Sequence, residues 1–246
     1  MNHTSAESAV RALVVSGDPP TIKQLSESLQ ELAALTEVCR DIPSAIRLLN
    51  TRKFETVVVD LKLGGQAGDL LQRVRLSPSN RTTVAFAVTG GAEEAAMAFE
   101  AGSNLVLERP LTTTSVGRTL KAAYGLMVRE RLRYFRCSVS IPATIHKKDT
   151  GEIRCQILNI SQGGMAIVTP VPLKPGAGIC VEFTIPGKRA GIEAHSEICW
   201  YDEKGRAGLR FLEPSPGQRS ELREWLSRRL EESLPEAVAA KFRATT

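Results

Sequence analysis

The sequence predicts two modules in tandem: a doubly wound α/β sheet, then a small antiparallel β-barrel closed by a helix. Three observations carry this expectation. Residues 1–125 alternate five short apolar runs with five stretches of helical spacing. Within them Thr56-Val57-Val58-Val59 is β-branched and almost wholly apolar, as a strand buried on both faces of a parallel sheet must be. From Cys137 onward the period changes to two, with turn residues at short intervals, the signature of an antiparallel barrel.

The elements of the first half follow in order. Residues 12–15 read as a buried strand, and 21–34 as a helix with Ile22, Leu25, Leu29 and Leu32 on one side. Residues 37–39 and 43–50 form the next strand and helix, and 56–59 the central strand. A helix over 68–76, a strand over 83–88, a helix over 93–101 and a strand over 104–107 complete the alternation. This βα repeat predicts a parallel sheet with functional residues at the carboxyl ends of its strands. A last helix opens at Thr113 and runs to about Arg133, with Val116, Leu120, Ala123 and Met127 as its apolar stripe. No Gly/Ser linker separates it from the arginines that follow. It is read either as a coupler between the modules or as the last α/β helix, extended and exposed.

In the second half, Val139, Ile141, Ala143 and Ile145 alternate along 138–145, and residues 147–151 read as a hairpin turn. Strands over 153–160, 166–169, 179–185, 192–200 and 207–212 bring the total to about six. Ser215-Pro216 opens an amphipathic helix with Leu222, Trp225, Leu226 and Leu230 on one side. The boundaries expected are 1–125 for the sheet domain, 126–136 for a helical junction and arginine arm, 137–234 for the barrel with its helix, and 235–246 for a tail.

Composition narrows the function. The chain has 246 residues, 42% hydrophobic and 24% charged, ordinary for globular domains. No apolar run has the length of a membrane span, and the first ten residues lack a signal-peptide pattern, so no membrane insertion and a cytoplasmic location are expected. Five scattered cysteines without CxxC spacing suit small buried hydrophobes in a reducing compartment rather than disulfides or a metal centre. His3, His146 and His195 have no ligand spacing, and no cofactor or metal is expected. Residues 1–125 hold 13 basic and 13 acidic side chains, whereas 126–246 hold 19 and 14, so the whole net charge of +5 lies in the second half. A basic second domain suits an anionic ligand. The same arginines on a solvated helix face would give the same sum.

Two stretches carry the chemistry of the second half. Asn159-Ile160-Ser161-Gln162-Gly163-Gly164 supplies an amide, a hydroxyl and a glycine at fixed offsets between two apolar strands. Arg131-Leu132-Arg133-Tyr134-Phe135-Arg136 lies about 25 residues upstream. Arginine forks match phosphate oxygens and the Hoogsteen edge of guanine, and glycine admits a ligand close to the backbone. The pair resembles the motifs of the PilZ domain, a small β-barrel that binds cyclic di-GMP through an RxxxR arm and a (D/N)xSxxG turn. Glu197-Ile198-Cys199-Trp200 and Gly208-Leu209-Arg210-Phe211 also fit that family. The resemblance covers roughly 129–234 and implies a cyclic di-GMP site at Arg131, Arg133, Arg136, Asn159, Ser161 and Gly164. Aligned on Arg136 as the second arginine of the arm, the first falls on Leu132, with Arg131 and Arg133 beside it.

The first half is similar to the flavodoxin-like receiver domain of two-component response regulators. Asp60 ends the third strand, where that family has its phosphoacceptor, and Thr89 ends the fourth, where it has a switch hydroxyl. Arg109-Pro110 follows the fifth, where it has Lys-Pro. Phosphoryl transfer to a carboxylate calls for Mg²⁺ and further acids to hold it. The family's acid pair falls on Ser16 and Gly17, leaving Asp18 as the next acid, and Arg109 is not the point charge a lysine is. The site at Asp18, Asp60, Thr89 and Arg109 is therefore read as a pseudo-receiver without Mg²⁺.

Three functional classes remain. One is a non-catalytic cyclic di-GMP receptor that changes its contacts with an effector protein. Another is an interaction module whose two sites bind neither nucleotide nor phosphate; a homodimer is compatible with both. The third, an enzyme or nucleic-acid binder, lacks a nucleophile–base pair, a phosphate loop or more than one basic segment.

Overall fold

Val57, Val58 and Val59 lie fully buried at the middle of a five-stranded parallel sheet in the computed structural model, which describes residues 10–147, 151–188, 191–233, 236 and 239. The strands are β1 (Arg11–Val15), β2 (Leu35–Cys39), β3 (Thr56–Asp60), β4 (Val84–Thr89) and β5 (Leu105–Glu108), in the order β2-β1-β3-β4-β5. The helices are α1 (Pro19–Gln30), α2 (Ile42–Thr51), α3 (Gln66–Leu76), α4 (Ala92–Glu100) and α5 (Thr113–Tyr134). Leu13, Val15, Val57, Val59, Ala85 and Ala87 pack with the apolar faces of α2, α3 and α4. Leu25 and Leu29 of α1 and the predicted α5 stripe Val116, Leu120, Ala123 and Met127 are also buried. This is the flavodoxin-like fold that the βα alternation predicts.

Local chemistry sets the helix ends. Asp18 accepts a hydrogen bond from Thr21 N–H and starts α1, with Pro19 and Pro20 in the first turn. Asp41 caps α2 in the same way through Ser44 N–H. The helix expected to reach residue 34 stops at Gln30, because Ala33 adopts φ 51°. Ala33 N–H then donates to Gln30 C=O and Ala34 N–H to Leu29 C=O, a Schellman closure built without the usual glycine.

The second unit is a closed barrel of β6 (Cys137–Lys147), β7 (Gly151–Ser161), β8 (Gly164–Val168), β9 (Gly178–Thr184), β10 (Gly191–Tyr201) and β11 (Arg206–Phe211). Its order is β10-β11-β8-β7-β6-β9, every pair antiparallel. Ile141, Ile145, Ile157, Ile167 and Val181 fill its interior. Helix α6 (Pro216–Glu232) buries Leu222, Trp225, Leu226 and Leu230 as its spacing predicts. Gln218 Nε2 donates to Glu193 C=O at 3.2 Å, and Lys188 lies 3.7 Å from Glu221.

Helix α5 continues to Tyr134, close to the expected end at about Arg133, and the two compact units divide between Arg131 and Leu132. One further expectation needs revising. Not all cysteines are buried: Cys39 and Cys137 are, Cys155 and Cys180 are half-buried, and Cys199 is exposed, because β10 turns it outward at a bulge. Burial pushes the Cys155 thiol up to about 11. His3, the 147–151 turn at residues 148–150, and most of the 235–246 tail lie outside the described residues.

Candidate functional site

The carboxyl edge of the sheet brings Ser16, Asp60, Thr89 and Arg109 to the point where strand order reverses between β1 and β3. The Asp60 carboxylate is buried and covered. Ser16 Oγ donates to Oδ2 at 2.7 Å, and Lys62 N–H donates to Oδ1 at 3.1 Å. Arg109 Nη2 donates to both oxygens, at 2.9 and 2.8 Å. Arg109 Nη1 donates to Thr21 Oγ1 at 2.9 Å and lies 3.9 Å from Asp18. Thr21 Oγ1 donates to Asp18 Oδ2 at 2.5 Å, and Asp18 N–H donates to Ser16 Oγ at 3.1 Å. A closed polar ring results, running Ser16–Asp60–Arg109–Thr21–Asp18.

That ring sets the charge balance. The Thr21 hydroxyl and N–H hold the Asp18 carboxyl below the usual range, with Arg109 adding to the effect. The acids here are Asp60, already covered by a guanidinium, and Asp18, engaged as the α1 cap. This is a poor donor set for a hard, octahedral Mg²⁺, which prefers carboxylates and water. Among the described residues no group of three or more His, Cys, Asp or Glu is placed to hold a metal ion. Thr89 is fully buried, and its Oγ1 has no hydrogen-bond partner among the described residues.

The barrel site is built differently. Gln162-Gly163 forms the two-residue turn between β7 and β8, with Ser161 and Gly164 paired across it. Ser161 Oγ donates to Gly164 C=O at 3.0 Å and is buried. A Cβ on Gly164 would stand 2.0 Å from the Leu209 carbonyl oxygen, so only glycine lets β8 lie this close to β11. Asn159 Oδ1 is buried with no hydrogen-bond partner among the described residues. Cys137 pairs with Ile160 and Ser138 with Asn159, which sets Arg136, immediately before β6, beside the Asn159–Ser161 stretch. Arg136 is exposed, and so is Arg133 on the last turn of α5.

Arg131 belongs to the sheet unit, where its guanidinium lies 3.7 Å from Glu55, with both side chains largely buried. Leu132, at the position of the family's first arginine, is 4% exposed.

Strand register adds two residues that the sequence reading did not select. Directly paired residues of an antiparallel sheet share a face. Trp200 pairs with Gly208, Gly208 with Ala166, and Ala166 with Asn159, an outward row across four strands. A Cβ on Gly208 would meet Trp200 Nε1 at 2.0 Å, so the indole lies flat on the glycine while staying 46% exposed. In the next outward row Glu197 pairs with Arg210, Arg210 with Gly164, and Gly164 with Ser161. Arg210 Nη2 donates to Glu197 at 2.6 Å. An aromatic face and a guanidinium therefore share the two rows that hold the motif's amide and hydroxyl. A glycine inside a strand is the sequence signal for such a close approach, but nothing in the linear order pairs residue 208 with 200 or 166.

Residues 130–228 match the family model described as the PilZ domain. The second half of this chain is a PilZ domain. No curated protein matches the chain. Among solved structures, a CheY-like receiver domain protein from Methanospirillum hungatei is similar at 18% identity, covering 50% of this chain and 98% of its own, with a TM-score of 0.44. The chemotaxis response regulator CheY4 of Vibrio cholerae is similar at 17% identity, covering 46% and 98%, with a TM-score of 0.44. The inhibitor of motility MotI/DgrA of Bacillus subtilis is similar at 23% identity, covering 39% of this chain and 50% of its own, with a TM-score of 0.35. The order along the chain is a flavodoxin-like α/β domain followed by a PilZ domain.

Proposed function

We propose that this chain is a non-catalytic bacterial signalling protein of the cytoplasm whose PilZ domain binds cyclic di-GMP and whose receiver-like domain does not accept phosphate. Ligand binding changes its contacts with an effector protein. The observation that carries this reading is the outward barrel face at the β7–β8 turn. There the register sets Arg136 beside the Asn159–Ser161 stretch, Asn159 Oδ1 has no hydrogen-bond partner among the described residues, and Trp200 and Arg210 lie in the same outward rows. Guanine offers donors for the amide and a flat surface for the indole, and the phosphates suit the guanidinium groups. The receiver-like site supports the second half of the reading. Its carboxylate is paired internally with Arg109, whose Nη2 donates to both oxygens. No helix among the described residues is long and apolar enough to cross a membrane.

Leu132 supports a second reading, an interaction module that binds no nucleotide, because a buried leucine replaces one arginine of the arm. Calorimetric titration of the full chain with cyclic di-GMP separates the two. The receptor reading expects saturable binding, weaker than a complete arm gives by about tenfold to hundredfold for one missing charge-assisted contact. Absence of binding by the folded protein leaves the interaction module.

A further inference from the structure

Glu197 and Arg210 form an ion pair on the outer face of the barrel, in the row next to that of Trp200. Glu197 of β10 pairs in register with Arg210 of β11, and Arg210 Nη2 donates to Glu197 Oε2 at 2.6 Å. Solvent reaches both side chains, which are 33% exposed for Glu197 and 62% for Arg210. Glu197 Oε1 accepts from no group among the described residues. The register shift between Ile198 and Trp200 inserts Cys199 as an extra residue. Glu197 and Trp200 therefore stand on one face as second neighbours do, about 7 Å apart along the strand. The Trp200 indole rests on Gly208 and is 46% exposed.

A purine stacked on that indole spans this spacing, so its edge reaches the Glu197 carboxylate. Donors and acceptors decide which purine fits. The Watson–Crick edge of guanine carries two adjacent donors, N1–H and N2–H₂, and an ionised carboxylate is an acceptor with two oxygens. Adenine sets the lone pair of its N1 at the same place, which a carboxylate repels. Charge-assisted bonds of this kind are roughly twice as strong as neutral ones. An unpaired carboxylate would also repel the phosphates of a cyclic dinucleotide, but Arg210 neutralises it and fixes its direction. We infer that Glu197 makes the PilZ site selective for guanine: it accepts from N1–H and N2–H₂ of the base that Trp200 stacks, and Arg210 is its positioning residue. This rests on the receptor reading above.

The test is a calorimetric titration of full-length wild type, Glu197→Gln and Arg210→Ala with cyclic di-GMP and with cyclic di-AMP. Glutamine keeps the side-chain length and an acceptor for Arg210, but it removes the charge and can turn its NH₂ group to adenine N1. The ratio of the two affinities, guanine over adenine, falls by about tenfold or more in Glu197→Gln. The melting temperature barely moves, as for an exposed ion pair. Arg210→Ala lowers the same ratio, which loss of a phosphate contact common to both nucleotides does not move. A Glu197→Gln ratio within about twofold of wild type overturns the inference. So does equal tightening of both nucleotides in Glu197→Gln, the result if Glu197 only withholds Arg210 from phosphate. A further arm needs no variant. Wild type binds the inosine analogue of cyclic di-GMP, which lacks only the N2 amino groups, about tenfold more weakly, and equal binding of the two overturns the inference. Failure of the receptor reading looks different: no nucleotide binds to any of the three proteins, although all melt as folded chains.

Discussion

Asp60 and Asn159 stand at comparable points of their domains, each at the carboxyl end of a strand beside a short turn, and their surroundings treat them oppositely. Around Asp60, Arg109, Ser16 and the Lys62 N–H donate to the buried carboxylate, so that each of its oxygens accepts two hydrogen bonds. Around Asn159 the amide oxygen has no hydrogen-bond partner among the described residues, and Arg136, set beside it by the strand register, is exposed. A buried polar atom left unpaired costs about 1–3 kcal/mol. Side chains of the first domain brace Asp60 from within, whereas Asn159 Oδ1 has no hydrogen-bond partner among the described residues.

The largest effect that sharpens this contrast comes from breaking the brace. Arg109→Ala leaves a buried carboxylate uncompensated and lowers stability by about 3–5 kcal/mol, read as a shift of the denaturant midpoint. A fall under about 1 kcal/mol, as for an exposed ion pair, would show that the ring contributes little. Next is Leu132→Arg. Since Leu132 is buried, the arginine destabilises the barrel unit by at least the loss expected of a core leucine, about 2–5 kcal/mol. Melting curves report it, and an unchanged melt with tighter ligand binding would mean that the arm simply lacks a donor. Arg136→Ala comes third: it costs a charge-assisted contact of about 1.5–3 kcal/mol, tenfold to hundredfold in affinity by calorimetry, while the melting temperature stays put because Arg136 is exposed. Ser161→Ala is the smallest, about 1 kcal/mol. It appears in stability even without ligand, since the hydroxyl already donates to Gly164 C=O.

How much of this was legible depended on whether the cause was local. The run at 56–59 and the alternation from 138 onward announced their strands, because burial on two faces or on one writes itself into adjacent residues. The end of α1 did not, since Ala33 takes a left-handed conformation that alanine seldom adopts and that no neighbouring residue signals. Ser16 and Arg109 were visible as departures from an acid pair and a lysine. That they bond to the same carboxylate depends on the arrangement of three strands. Arg131 stood out by its spacing in the arm, but its approach to the buried Glu55, far upstream in sequence, was not legible there. Trp200 and Arg210 escaped selection because their rows run across strands that are not neighbours in sequence.

One experiment probes both halves of the contrast: native mass spectrometry of the full chain with Mg²⁺, acetyl phosphate and cyclic di-GMP supplied together. A closed first site and an open second site give a single non-covalent adduct of the nucleotide's mass and no covalent phosphate. A phosphate adduct that disappears in Asp60→Asn, or a folded chain that carries no nucleotide, would contradict the contrast.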